Sequence, residues 1–337
     1  MIIQKLREIS EKPKKAVVSP LNCSDPTYAN AAPMLYAAGG ITSSSATSAM
    51  EKYDIRNGTW TKSTSMPRKR SHFALVSTGE ALYSIGGYDG SKRLSSIDIF
   101  KPEGETWSEG PSMFTAKSDF GAVWDGKKSI YLIGGYTAES QDMAAVEILD
   151  THTKTWRKGP KLQQKRSYVQ AAINENAIYA VGGAVGNTRL ASVEKLELLN
   201  KGDEKHHAHA SSWVYVASLN VARSRPGVAA LNGKLYAVGG YNGSDHLSSV
   251  ECYDPSLDQW QLIEAMATPR NSPAVAVQGE RLYVAGGHDG KKVLNSVEVY
   301  NPHKKSWKEV PPMDTAKCDF SLAAIVVTGI ESFGTWM

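Results

Sequence analysis

Short apolar runs ending in a glycine pair punctuate the chain six times. Leu82-Tyr83-Ser84-Ile85 runs into Gly86-Gly87, and Leu235-Tyr236-Ala237-Val238 runs into Gly239-Gly240. The remaining pairs are Gly39-Gly40, Gly134-Gly135, Gly182-Gly183 and Gly286-Gly287, so successive pairs stand 47, 48, 48, 57 and 47 residues apart. Thirteen residues after the second glycine comes a bulky residue, Tyr53, Phe100, Leu196, Tyr253 or Tyr300, with Leu149 at fourteen. Seven residues later stands a tryptophan: Trp60, Trp107, Trp156, Trp260 and Trp307. In the fourth unit Trp213 comes seventeen residues later, so a ten-residue insertion explains the one long step. Within the second unit the pattern predicts strands near 72–77, 81–86, 95–100 and 106–109, separated by Gly, Asp, Lys and Pro turns. No long amphipathic helical period interrupts the repeat. A period of 40–50 residues with four short strands is the signature of propeller blades.

The expected fold is therefore all-β: a six-bladed β-propeller with four antiparallel strands per blade. The first unit starts at its second strand, 34–38, and the last unit is followed by a surplus first strand. Met113-Phe114-Thr115-Ala116-Lys117-Ser118-Asp119-Phe120 reappears as Met313-Asp314-Thr315-Ala316-Lys317-Cys318-Asp319-Phe320. The C-terminal strand 321–327 is thus expected to complete blade one and remove the open edges, with 16–19 as a weaker alternative. The chain divides into a stub at 1–32, the propeller at 33–328 and a tail at 329–337.

The glycine pair, the spaced Tyr and Trp, and the Met-x-x-x-Arg segment opening each unit resemble kelch repeats. Blades five and six carry the resemblance best, in Tyr236-Ala237-Val238-Gly239-Gly240-Tyr241-Asn242-Gly243 and Val284-Ala285-Gly286-Gly287-His288-Asp289-Gly290. The propellers of kelch-like adaptors are similar, and that resemblance implies a protein-binding domain that presents substrates to cullin-based ubiquitin ligases. Those adaptors carry BTB and BACK domains ahead of the propeller. The 32 residues before it here are too few for either, and such a stub is not expected to recruit a cullin.

In-register repeats separate architectural positions from variable ones. An acid precedes each bulky strand residue by two: Glu51, Asp98, Glu147, Glu194, Glu251 and Glu298. A base follows each opening Met or Leu by four: Arg70, Lys117, Arg166, Arg223, Arg270 and Lys317. Repetition points to ion pairs or backbone hydrogen bonds. The bases also lie near the inter-blade loop, so Arg70, Arg166 and Arg270 stand as partner-binding candidates as well.

Two residues beyond each base the type varies: His72, Asp119, Tyr168, Arg225, Ser272 and Asp319. A second varied set follows the glycine pair: Ile41, Tyr88, Tyr136, Ala184, Tyr241 and His288. Strand direction alternates in a meander, which puts both sets on one face. By the resemblance, kelch-like adaptors bind peptide substrates there, and Tyr, Arg and His suit a protein contact. The alternative is a plain solvated loop surface. Arg225 is the lone arginine of its ring and two ring members are acidic, so the ring alone does not indicate a pocket for a strongly acidic peptide.

Composition narrows the classes. A net charge of +4 without a basic block argues against nucleic acid, Lys12-Pro13-Lys14-Lys15 being a solvated linker. No apolar stretch nears the ~18 residues of a membrane span, and no signal peptide is visible. The cysteines, Cys23, Cys252 and Cys318, are too few and too scattered for a disulfide framework or a metal site, which makes the cytosol the expected compartment. His206-His207-Ala208-His209 lies in the insertion of the fourth unit, without the carboxylates or cysteines that complete a metal site. A flexible polar loop is the simpler account. Neither a nucleophile elbow nor a phosphate-binding loop occurs, and no cofactor is expected. Kelch-type propellers also carry enzymes, a copper oxidase and sugar-processing enzymes among them. An active site of that kind would converge at the channel mouth on Asp119, Asp319, Arg225 and His72. A non-catalytic scaffold, an actin-associated kelch protein and a small-molecule enzyme are the competing functions, in that order.

Overall fold

The computed structural model describes residues 32–43, 45–139, 141–198 and 212–327. Residues 1–31 of the stub, with the alternative strand 16–19, the histidine-rich insertion and the tail lie outside the described residues, and Ala32 belongs to the first blade. Six four-stranded antiparallel sheets form the blades, two short two-stranded pairings, Lys117–Ser118 with Tyr136–Thr137 and Ala184–Val185 with Thr188–Arg189, lie in their loops, and no helix occurs among these residues. Blade two runs Ala74–Ser77, Leu82–Ile85, Ile97–Lys101 and Thr106–Glu109 from the axis outward. Blades three to six repeat that order. In blade four the outer strand, Val214–Val216, follows the insertion. Blade one is assembled from both ends: Ser321–Val327 is its innermost strand, paired with Ala32–Ala38, then Met50–Asp54 and Thr59–Ser63. The register from Ala32↔Val327 to Ala38↔Ser321 spans both strands, and the innermost strands touch one another in cyclic order. The ring is closed, as the surplus strand predicts.

Burial explains the repeat. Six apolar clusters fill the spaces between neighbouring blades; the one between blades one and two joins Met34, Tyr36, Met66, Phe73, Leu82 and Phe100. In five of the units the bulky strand residue pairs across to the tryptophan, with ring centroids 5.0 Å apart for Tyr53–Trp60 and 4.9 Å for Phe100–Trp107. Each indole N–H donates to a carbonyl of the preceding blade, as Trp213 does to Pro160 at 2.9 Å and Trp60 to Pro311 across the seam at 2.9 Å. Tryptophan thus supplies both apolar area and an inter-blade hydrogen bond.

The glycine pair is required by two constraints at once. Gly39 and Gly40 have φ of +62° and +95°. A Cβ on Gly39 would lie 2.4 Å from the Arg70 carbonyl, and one on Gly40 2.5 Å from Cβ of Phe320. No L side chain fits there. The Gly40 N–H donates to that Arg70 carbonyl at 2.7 Å, and the equivalent bond recurs at all six blade junctions.

Candidate functional site

The six bases close six ion pairs inside the blades. Arg70 meets Asp98 at 2.7 Å, Arg166 meets Glu194 at 2.7 Å, Arg223 meets Glu251 at 2.6 Å and Arg270 meets Glu298 at 2.9 Å. Lys117 faces Glu147 at 3.5 Å, and Lys317 reaches Glu51 at 2.8 Å, joining the C-terminal segment to blade one. All six bases are fully buried. Each arginine also donates to the carbonyl of the first glycine of its own blade, as Arg166 does to Gly182 at 2.9 Å. Arg70, Arg166 and Arg270 therefore do not line the partner face. Their guanidinium groups are consumed by blade architecture, which corrects their inclusion among the binding candidates.

The two varied sets do meet on one face. The residue ahead of each ring member pairs with the residue after the glycine pair: Ser71 and Tyr88 exchange backbone bonds at 2.8 Å in both directions. Ser167 with Ala184, Ser224 with Tyr241 and Asn271 with His288 repeat the pairing, Ser118 pairs with Tyr136, and Ile41 pairs with Cys318. Tyr88, Tyr136, Tyr241 and His288 are half-buried on the loops, whereas Ala184 is buried. The Tyr88 and Tyr241 hydroxyls donate to the carbonyls of Gly90 and Gly243, at 3.0 and 2.7 Å, so each ring is held over its own loop.

The ring formed by His72, Asp119, Tyr168, Arg225, Ser272 and Asp319 is built differently from a solvated loop surface. All six residues are left-handed, with φ between 50° and 58°. Their backbones bond around the mouth of the channel: His72 N–H to Asp319 carbonyl at 2.9 Å, Asp119 to His72 at 3.0 Å, Arg225 to Tyr168 at 3.0 Å and Ser272 to Arg225 at 3.2 Å. The left-handed conformation costs a β-carbon-bearing residue about 1–2 kcal/mol and is met most often by Asn, Asp and His. Three of the six positions are Asp or His. That was the available sequence signal for a backbone role here.

Four of the side chains pair by charge. His72 Nδ1 lies 3.0 Å from Asp119 and 3.2 Å from Asp319, so its N–H is shared between two carboxylates. Asp119 also accepts the Ser118 hydroxyl at 2.6 Å. Asp319 lies 3.8 Å from Arg225 Nε, and the Arg225 guanidinium stacks 4.1 Å over the Tyr168 ring. Burial opposes charge on His72, but Asp119 and then Asp319 outweigh it and hold the imidazolium up to about 10. For Asp119 and Asp319 burial pulls upward and is overcome by His72 and Arg225, leaving both below the usual carboxylate range. The four groups form two positive and two negative charges around a cavity of about 60 Å³. They are the four residues on which an active site at the channel mouth was expected to converge. Among the described residues no group of three or more His, Cys, Asp or Glu is placed to hold a metal ion, and no helix is long and apolar enough to cross a membrane.

Fold and loop face together define a closed six-bladed β-propeller whose variable positions converge on one rim. The kelch motif profile matches residues 23–67, 69–114, 127–163, 222–267 and 269–314, leaving unmatched the unit that carries the insertion. The chain belongs to the kelch-repeat family. It is similar to a kelch repeat and BTB domain-containing protein of Caenorhabditis elegans, 31% identical over 134 residues, which is 38% of this chain and 21% of that protein. Human Kelch-like protein 24 is 35% identical over 124 residues, 36% of this chain and 18% of that protein. Kelch-like ECH-associated protein 1A of Danio rerio is 34% identical over 125 residues, 36% and 19% respectively. The match spans about a fifth of the length of these relatives.

Proposed function

We propose that this propeller is a non-catalytic, cytosolic protein-interaction scaffold that binds a partner protein or peptide across the loop face. The observation that carries it is convergence: the most varied positions of an otherwise regular repeat sit together on one face, while the repeated glycine, base and acid positions are buried. Tyr88, Tyr136, Tyr168, Tyr241, His288 and Arg225 offer large, partly fixed side chains there, the kind that dominate binding energy at protein interfaces. The resemblance to kelch-like adaptors motivates a finer assignment, substrate recognition for a cullin-based ubiquitin ligase. Affinity purification on the wild-type chain and on Tyr88→Ala/Tyr136→Ala/Arg225→Ala, with matched thermal melts, tests the face. The variant is expected to lose the bound set while remaining folded. An unchanged bound set means that the loop face is not the binding surface.

A further inference from the structure

After the glycine pair, the chain folds into the same turn in blades two, five and six. Asp89, Asn242 and Asp289 each donate their N–H to the carbonyl three residues on, at 3.1, 3.2 and 3.2 Å. Gly90, Gly243 and Gly290 follow with φ of +105°, +109° and +98°. The side chain that locks the turn differs. In blades two and five it is a phenol, the Tyr88 and Tyr241 hydroxyls donating to Gly90 O and Gly243 O at 3.0 and 2.7 Å. In blade six the ring nitrogen Nδ1 of His288 accepts the Gly290 N–H at 3.0 Å. A phenol is unchanged over roughly pH 5 to 8, whereas only a neutral imidazole has the lone pair that accepts an amide. The bond therefore places the His288 proton on Nε2. A second proton, on Nδ1, turns the acceptor into a donor that faces another donor.

A second imidazole stands beside the first. The His246 ring centroid lies 5.3 Å from that of Tyr241 in its own loop and 5.5 Å from that of His288 across the blade boundary. It packs against Gly290, where an added Cβ would come within 3.2 Å of His246 Nδ1. Neither histidine is demanded by the repeat: the position of His288 holds Tyr88 and Tyr241 in the sister turns, and that of His246 holds Arg93 and Val293. The charged groups around the pair are Asp245 in the same loop as His246 and Asp289 in blade six, while Arg189 of blade four stacks 5.3 Å over the Tyr241 ring. Asp289 is fixed by the amides of Lys291 and Lys292, both at 2.7 Å. Burial, and then the nearness of His288, outweigh the two acids and keep His246 below the ordinary histidine range. Two imidazolium ions at this separation repel each other.

We propose that His246 and His288 form a pH-sensitive latch across blades five and six, holding the turns 241–246 and 288–292 together while neutral and releasing them on acidification. The latch is closed at pH 7.5, and its loosening falls below about pH 6.5. Its consequence for a partner rests on the loop-face assignment above; the release itself does not, and it is measured on the free chain. Backbone order parameters and histidine ring 15N shifts are followed by NMR between pH 7.5 and pH 5 for wild type and His288→Tyr. In wild type, residues 288–292 should fall from the rigid range, about 0.85, to below about 0.6 at pH 5 as His288 Nδ1 takes up its proton. The phenol-locked turn 88–92 should stay rigid. His288→Tyr installs the latch of blades two and five, so its turn should stay ordered at pH 5, and the His246 midpoint should move up towards about 6.5 once the neighbouring imidazole is gone. A wild-type turn that stays rigid at pH 5, an equal loss of order at 88–92 or in His288→Tyr, or an unmoved His246 midpoint overturns the latch. None of these results bears on the loop-face assignment, which the affinity purification tests separately.

Discussion

Glu194→Gln tests whether the repeated bases lock the blades or serve a partner. Arg166 and Glu194 both have fully buried side chains and meet at 2.7 Å. Arg166 spends three further donations on Gly182 O, Ser192 O and Ser192 Oγ, at 2.9, 3.0 and 3.2 Å. Glu194 in turn accepts the amides of Gln163 and Gln164 at 2.7 and 3.2 Å, tying the blade entrance to its third strand. Glutamine keeps the shape and an acceptor but leaves a buried guanidinium without its counter-charge. Removing one partner of a buried pair costs about 3–5 kcal/mol, and the retained acceptor puts Glu194→Gln at the low end, about 3 kcal/mol. At roughly 2–4 °C per kcal/mol for a domain of this size or somewhat smaller, the melting temperature should fall by about 6–12 °C. Urea unfolding followed by tryptophan fluorescence gives the free energy. Arg166→Met/Glu194→Leu should cost less than the sum of its single variants by about 2 kcal/mol, because neither charge is then stranded. The exposed pair Arg68–Glu109 serves as control, Glu109→Gln moving stability by no more than about 0.5 kcal/mol. A cost below about 1 kcal/mol for Glu194→Gln, together with weakened partner binding, would refute the structural assignment of the bases.

Three further outcomes are expected. His72→Asn retains a residue tolerant of the left-handed backbone and removes the charge. His72 titrates near 10 in the fold against about 6.5 in an unfolded chain, so its stabilising contribution is complete below about pH 6.5 and disappears as pH rises through 10. The gap in stability between wild type and His72→Asn should therefore be wide at pH 6 and nearly closed at pH 10.5, and a gap that widens with pH would contradict the cluster; at the acid end the contribution of the two depressed carboxylates is complete above the unfolded carboxylate range and is lost progressively as pH falls from about 5. Lys305 has φ +48° at the turn position that Gly58 occupies with φ +68°, so Lys305→Gly should raise stability by about 0.5 kcal/mol in urea unfolding. Gly40→Ala, whose Cβ would meet Phe320 at 2.5 Å and Cys318 O at 2.7 Å, should cost more than about 3 kcal/mol and lower the melting temperature accordingly.

Periodicity made the architecture legible. Six glycine pairs counted the blades, and the copy of 113–120 at 313–320 placed the seam on Ser321–Val327. The in-register acids and bases announced pairing, although spacing alone did not say that the bases would be fully buried. Depth is a property of the closed ring, and Arg70 or Arg166 near a loop looks the same whether it points inward or outward. The channel-mouth ring was hidden for another reason. Its constraint is a backbone angle shared by His72, Tyr168, Arg225 and Ser272 alike, and a varied side chain conceals a uniform φ. The partnership of His72 with Asp119 links successive blades, and that with Asp319 crosses the seam. Side-by-side packing of the repeats makes the first, and only closure of the ring makes the second.

Hydrogen–deuterium exchange on the wild-type chain, free and bound to the partner recovered by affinity purification, tests the central claim most directly. Protection should rise in the loops 88–93, 136–142, 184–189, 241–246 and 288–293, and the hairpin turns of the opposite face at 78–81, 125–128 and 279–280 should exchange as before. Protection confined to those opposite turns or to the outer strands, with the loop face unchanged, would contradict a partner bound on the loop face.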